Sequence, residues 1–102
     1  MVKRSRTIVW DKQALDYFKA AIKFIRRDSP QNAELVKNKI REAVNDLPDN
    51  PQRYPADKYR KKNKDDSYRA FEIYRFRIAY FVSKDQVRII RIRHTSQEPQ
   101  DY

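Results

Sequence analysis

The chain has no glycine, no cysteine and a single histidine in 102 residues. Each shortage removes a class of chemistry. Without cysteine there is no disulfide, no thiolate-bound zinc and no thiol nucleophile. One histidine cannot build a His-rich metal site, so a metal would need carboxylates, and neither metal nor cofactor is expected. Without glycine a Gly-rich phosphate loop is impossible in its usual form, and turns that need positive φ must use Asn or Asp. No apolar run approaches the roughly 20 residues of a membrane helix. The N-terminus carries Lys3, Arg4 and Arg6, but no apolar segment follows, so no signal peptide is expected and the cytoplasm is the expected location.

What the chain has in abundance is charge. Charged residues make up 37%, aromatics 13%, and the net charge is +10; mean hydropathy is -1.06 and the pI about 10.0. A single domain spanning 1–102, with a modest core and a heavily charged surface, is the reading. Such a balance favours an acidic partner: nucleic acid, an anionic membrane or an acidic protein. A basic protein that is merely soluble is the plain alternative.

The stretch from Tyr68 to His94 organises the fold. It alternates β-branched and aromatic residues in three runs with short polar breaks, the pattern of an antiparallel meander. Lys84-Asp85 is its clear turn; Tyr74-Arg75 marks a second break. Upstream, Thr7 to Trp10 is a short β run suited to an edge strand of the same sheet. Asp11 is placed as an N-cap, and Leu15, Phe18, Ile22 and Ile25 then form one apolar helical stripe. Ser29-Pro30 opens a second helix, Ser as cap and Pro at the first helical position. Ala33, Val36, Ile40, Ala43, Val44 and Leu47 line its apolar face, and Pro48 ends it. Two helices joined this tightly form an antiparallel hairpin. The expected fold class is α+β: a two-helix hairpin packed on one face of a small, mainly antiparallel sheet, in the order β-α-α-β-β-β.

Parity sorts the strand side chains. One consistent solution packs Phe71, Ile73, Ile78, Tyr80, Ile90 and Ile92 under the helices. It leaves an exposed face with Glu72, Arg77, Arg91 and Arg93, and puts Ile89 there too. His94 shares parity with Ile90 and Ile92, which suits a structural, hydrogen-bonded residue, although histidine also suits general acid–base work. Guanidinium groups fixed on a sheet match phosphate oxygens and stack on bases. They also keep an open sheet soluble. Between the second helix and the meander lies a proline-containing loop. Six of the 24 basic residues fall between Arg53 and Lys64. Lys58, Arg60 and Lys61, with Arg91 and Arg93, are the nucleic-acid-binding candidates; a solvated charge run is the other reading of this loop.

The order and spacing of these pieces resemble the RelE/ParE superfamily of bacterial toxins from type II toxin–antitoxin modules. The resemblance runs from Ile8 to Tyr102. It rests on Ser29-Pro30-Gln31-Asn32-Ala33, the Leu47-to-Pro51 exit, Tyr68-Arg69, Phe76-Arg77-Ile78-Ala79-Tyr80, Ile92-Arg93-His94-Thr95, Glu98-Pro99 and Tyr102. It implies a small basic toxin neutralised by a cognate antitoxin. RelE-like members cleave mRNA on the ribosome without a metal; ParE-like members inhibit DNA gyrase and need no nuclease centre. By the nuclease analogy Arg77 would hold the scissile phosphate, His94 would transfer a proton or contact phosphate, and Tyr102 would stack on the base or move a proton. Asp57, Lys58 or Lys61 fall in the window of a further contributor. RelE itself has another arginine beyond the last strand, where this chain has Thr95-Ser96-Gln97. The expectation leans to a ribosome-dependent mRNA endoribonuclease. A gyrase inhibitor is the alternative, and an RNA-binding module without toxicity the third. No membrane partner is expected.

Overall fold

A computed structural model describes residues 6–97 and 100–102. The N-terminal lead-in before Arg6 and the Glu98-Pro99 pair lie outside the described residues. Six elements follow in order: β1 (Thr7–Trp10), α1 (Lys12–Asp28), α2 (Pro30–Asp46), β2 (Tyr68–Ile73), β3 (Phe76–Val82) and β4 (Gln86–His94). They form one four-stranded sheet in the order β1-β4-β3-β2. The meander is antiparallel, and β1 joins its β4 edge in parallel. This is the expected α+β architecture with the expected element order.

The helix boundaries have local causes. Ser29 Oγ accepts the Asn32 N–H at 3.2 Å, with Pro30 at the first helical position, so one residue ends α1 and caps α2. Asp11 stands at the N-cap of α1 in extended geometry, but its side chain makes no capping bond. Its carboxylate instead accepts from Arg88 at 2.7 Å, which ties the helix start to β4. Trp10 stacks on Phe18, ring centroids 5.4 Å apart. Phe18 and Ile22 are buried as expected, together with Ala14, while Leu15 and Ile25 are half-buried.

Ala33, Val36, Ile40, Val44 and Leu47 of the second helix and its exit meet Phe71, Ile78, Tyr80, Val87, Ile89 and Ile92 of the sheet in one core. Tyr80 is fully buried; its hydroxyl donates to the Pro51 carbonyl at 2.7 Å, and burial pushes it up to about 12. One expected core position is wrong. Ala79 pairs with Arg91 but Tyr80 pairs with Ile89, so Ile90 is an extra residue in β4. This bulge inverts the parity of the strand. Ile89 is fully buried and Ile90 only half-buried, the reverse of simple alternation. The same inversion lets Val87 and Ile89 face the helices while Arg91 and Arg93 face away from them.

The β2–β3 hairpin turns through two residues, Tyr74 and Arg75, with φ of 50° and 66°. Two-residue hairpin loops that need positive φ at both positions favour Asn-Gly. In a chain without glycine these two side chains carry the left-handed geometry at a cost of roughly 1 kcal/mol each.

Candidate functional site

The face of the sheet turned away from the helices is not open. The segment from Pro51 to Asn63 folds along the β2 edge. The Asp57 N–H donates to the Tyr68 carbonyl at 2.8 Å and the Ala70 N–H to the Pro55 carbonyl at 3.2 Å. Asn63 uses its amide as a second strand partner, with Oδ1 accepting from Tyr68 N–H at 3.0 Å and Nδ2 donating to the Tyr68 carbonyl at 2.8 Å. The C-terminal residues return over this loop: Tyr102 N–H donates to Tyr59 at 2.8 Å, and Lys61 N–H donates to the Tyr102 carbonyl at 2.9 Å. The expected exposed arginine face is thus a covered layer, with Ala70, Ala79 and Arg93 all buried. Of the four residues expected on that face only Glu72, at its margin, is exposed.

Asp57 is the hub of this layer. Its side chain is 1% exposed. Oδ1 accepts from Arg77 at 2.9 Å and from the Tyr59 N–H at 3.1 Å, and Oδ2 accepts the Tyr102 hydroxyl at 2.5 Å. Burial works to raise the Asp57 carboxyl, but the hydrogen bonds from Tyr102, Arg77 and Tyr59 outweigh it and hold the group below its ordinary range. Tyr102 is driven the other way, upward, first by burial and then by its bond to the carboxylate. Arg77 also donates to Glu72 at 3.1 Å, so its guanidinium, 12% exposed, is held by two carboxylates.

The remaining arginines are spent on rings and carbonyls. Arg60 lies 3.9 Å above the Tyr68 ring and 5.1 Å from that of Tyr102. Arg91 stands 4.7 Å from the Tyr102 ring and donates to the Gln100 carbonyl at 2.7 Å. Tyr59 is flanked by Arg77 at 4.8 Å and Arg93 at 5.3 Å, and Arg93 donates to the Gln97 carbonyl at 3.1 Å. A void of about 10 Å³ is all that remains between Asp57, Tyr59, Arg77, Arg91, Arg93 and Tyr102, room for about one water. Lys61 is exposed, and so is Lys58, whose ammonium sits 5.3 Å from the Tyr59 ring.

The sheet separates the three candidate catalytic residues. Arg77 and Tyr102 meet through Asp57. His94 pairs with Phe76 while its neighbour Arg93 pairs with Arg77, so alternation sends its ring to the helix side. There it packs edge-on against Phe76 at 5.4 Å. The His94 backbone N–H donates to the Tyr17 hydroxyl at 3.0 Å, and the ring Nδ1 accepts the Ser96 backbone N–H at 3.1 Å.

His94 also borders a second feature, which sequence reasoning missed. An open groove of about 580 Å³ is lined by Tyr17, Ala20, Phe24, Val36, Tyr74 and His94, among others, and no acid among the described residues lines it. Phe24 is 66% exposed and Tyr74 46%. The available signal was Phe24, a large apolar residue off the buried stripe of α1. For Asp57 the signal was its isolation, as the only acid between Arg53 and Lys64. No three His, Cys, Asp or Glu side chains gather as a metal site among the described residues. No helix among them is long and apolar enough to cross a membrane.

The β-α-α-β-β-β order is the one that the resemblance to the RelE/ParE superfamily of toxins implies. The family model described as the ParE toxin of the type II toxin–antitoxin system parDE matches residues 8–99, and the chain belongs to that family. A solved structure titled the chromosomal ParDE TA system from P. aeruginosa superposes with a TM-score of 0.66 at 18% identity, over 90% of this chain and 98% of that one; at this identity the likeness is one of fold. Among curated protein sequences, none matches significantly.

Proposed function

We propose that this protein is a ParE-type toxin that inhibits DNA gyrase by binding it, without catalysis, and that a cognate antitoxin neutralises it. The observation carrying this reading is the separation of the candidate catalytic side chains. Cleavage of RNA by its own 2′-OH needs a base, an acid and a charge stabiliser around one phosphate. Arg77 is committed to Asp57 and Glu72, Tyr102 is hydrogen-bonded to the same Asp57, and His94 faces the other side of the sheet. Membership of the ParE family supports the same choice over the ribosome-dependent nuclease. Inhibition by binding asks only for a complementary surface, and either target would be met in the cytoplasm.

The antitoxin has a natural seat in the apolar groove. A groove of this volume takes one or two large side chains, and an amphipathic helix inserts such anchors at helical spacing. The absence of acids among the described residues of the lining and the net charge of +10 favour an acidic segment. Two assays with the antitoxin-free protein test the reading: supercoiling by purified gyrase, and primer extension on mRNA in a reconstituted translation reaction. The expected result is inhibited supercoiling with intact mRNA. Ribosome-dependent mRNA cuts would return the function to the nuclease; neither effect would leave a plain binding module.

A further inference from the structure

The apolar groove has a polar end, where the β2–β3 turn meets the end of β4, and that end holds donors. Phe76 pairs with His94 and the Thr95 N–H donates to the Arg75 carbonyl at 2.7 Å, so Arg75 and His94 are neighbours on the groove wall. Tyr17 reaches them from α1. Its hydroxyl oxygen accepts the His94 backbone N–H at 3.0 Å, which leaves its own hydrogen free to donate. The Arg75 side chain is exposed and has no partner among the described residues.

The two nitrogens of the His94 ring have different surroundings. Nδ1 is turned to Ser96, 2.7 Å from its hydroxyl and 3.1 Å from its backbone N–H. A ring nitrogen that accepts a backbone N–H carries no proton, so the neutral ring keeps its hydrogen on Nε2. Among the described residues Nε2 finds no partner, and it is open to solvent. When the ring takes a second proton, Ser96 Oγ is already in place to accept it from Nδ1. The Nε2 hydrogen is therefore available in both states, and the second proton only adds charge. Around His94 the titratable or charged groups are Tyr17 from α1 and Tyr74 and Arg75 from the turn; α2 contributes the neutral Asn32, and Arg93 lies on the opposite face. None of these is an acid. Donors from a phenol, a fixed cation and an imidazole, set against an apolar wall, are a receptor for a carboxylate.

We propose that Tyr17, Arg75 and His94 bind a carboxylate of the antitoxin helix seated in the groove, and that protonation of His94 tightens this contact as pH falls. The proposal rests on the groove being the antitoxin's seat. It gives the acidic segment a pattern: one acid placed a helical turn from a bulky apolar anchor. It also gives His94 a binding role on the side of the sheet where it lies.

The test titrates phenylpropionate and phenylpropionamide, alike in shape and different in charge, into the isotope-labelled full chain. Backbone N–H shifts at Phe24 and Tyr74 locate the binding. At about pH 6, inside histidine's ordinary titration range with the probe still ionised, the carboxylate should bind about tenfold tighter than the amide. At about pH 8 that preference should shrink by about threefold. Arg75→Gln, at an exposed position, and His94→Phe should each reduce the preference at about pH 6 to about threefold. His94→Gln keeps a donor but cannot gain charge, so its preference should not grow as pH falls. A purely structural His94 would move none of these ratios. Equal binding of the two probes, with shifts at Phe24 and Tyr74, would overturn the carboxylate site and leave the groove standing. No shift at those residues with either probe would remove the groove as a binding seat, and the proposal with it. A carboxylate preference unchanged in Arg75→Gln and His94→Phe would belong to the net charge of the protein and would overturn the proposal as well.

Discussion

The two sides of the sheet handle their conspicuous residues in opposite ways. On the helix side Phe24 and Tyr74 stand exposed around an apolar groove that the fold leaves open. On the other side four arginines that sequence patterning would leave in solvent are covered by the loop and the C-terminal arm. Apolar surface grouped in an open groove marks an interaction site. A charged cluster saturated by its own chain marks structure first, and function only if something opens it. Positive charge alone was therefore a poor guide to where partners bind: part of the basic surface is already engaged internally.

The difference is open to attack at its strongest point. Asp57→Ala leaves the Arg77 guanidinium with Glu72 alone and frees Tyr102, so it should destabilise the fold by about 3 kcal/mol in urea unfolding. The depressed Asp57 carboxyl also gives the pH dependence its sign. Its contribution is fully present above the unfolded carboxyl range, about 3.9, and is lost as pH falls through the lower folded value. Asp57→Asn should flatten that acid limb of the stability profile.

A change on the open side should behave in the reverse manner. Phe24→Asp removes an exposed ring, so folding stability should stay within about 0.5 kcal/mol. Antitoxin affinity, read by calorimetry, should fall by about 2 kcal/mol, close to thirtyfold. A loss of stability without a loss of antitoxin binding would make Phe24 structural and dissolve the contrast. The hairpin tip gives a smaller effect: replacing Tyr74-Arg75 by Asn-Gly relieves two left-handed residues and should raise stability by about 1 kcal/mol, while weakening antitoxin binding through loss of the Tyr74 ring. The smallest is Tyr102→Phe, expected to cost about 1 kcal/mol or less. Because the Tyr102 hydroxyl is raised, its contribution holds below about pH 10 and is lost as pH rises toward the folded value. The variant should lack that alkaline limb.

Much of this is legible in the sequence. Ser29-Pro30 announced the α1–α2 junction because both residues act through local backbone geometry. The meander showed in its alternation, and β1 in its position. The bulge at Ile90 was not legible, because no glycine or proline marks it and either parity leaves an isoleucine inside. The break at Tyr74-Arg75 was placed, but not its left-handed geometry, because neither residue favours positive φ. In the site, parity correctly put His94 with Ile92 and away from Arg93, whereas the nuclease analogy would gather it with Arg77. The burial of Asp57 depended on where a long loop lands, which residue spacing does not encode.

Stoichiometry tests the central claim, inhibition by binding, most directly. Antitoxin-free protein would be titrated into a fixed concentration of purified gyrase, and in parallel into translating ribosomes, with initial rates of supercoiling and of mRNA cleavage measured. A binding inhibitor predicts that supercoiling falls in proportion to added toxin and saturates near equivalence with active gyrase, with no mRNA ends produced. Unaffected supercoiling at large excess, together with mRNA ends accumulating far beyond the amount of toxin, would contradict it.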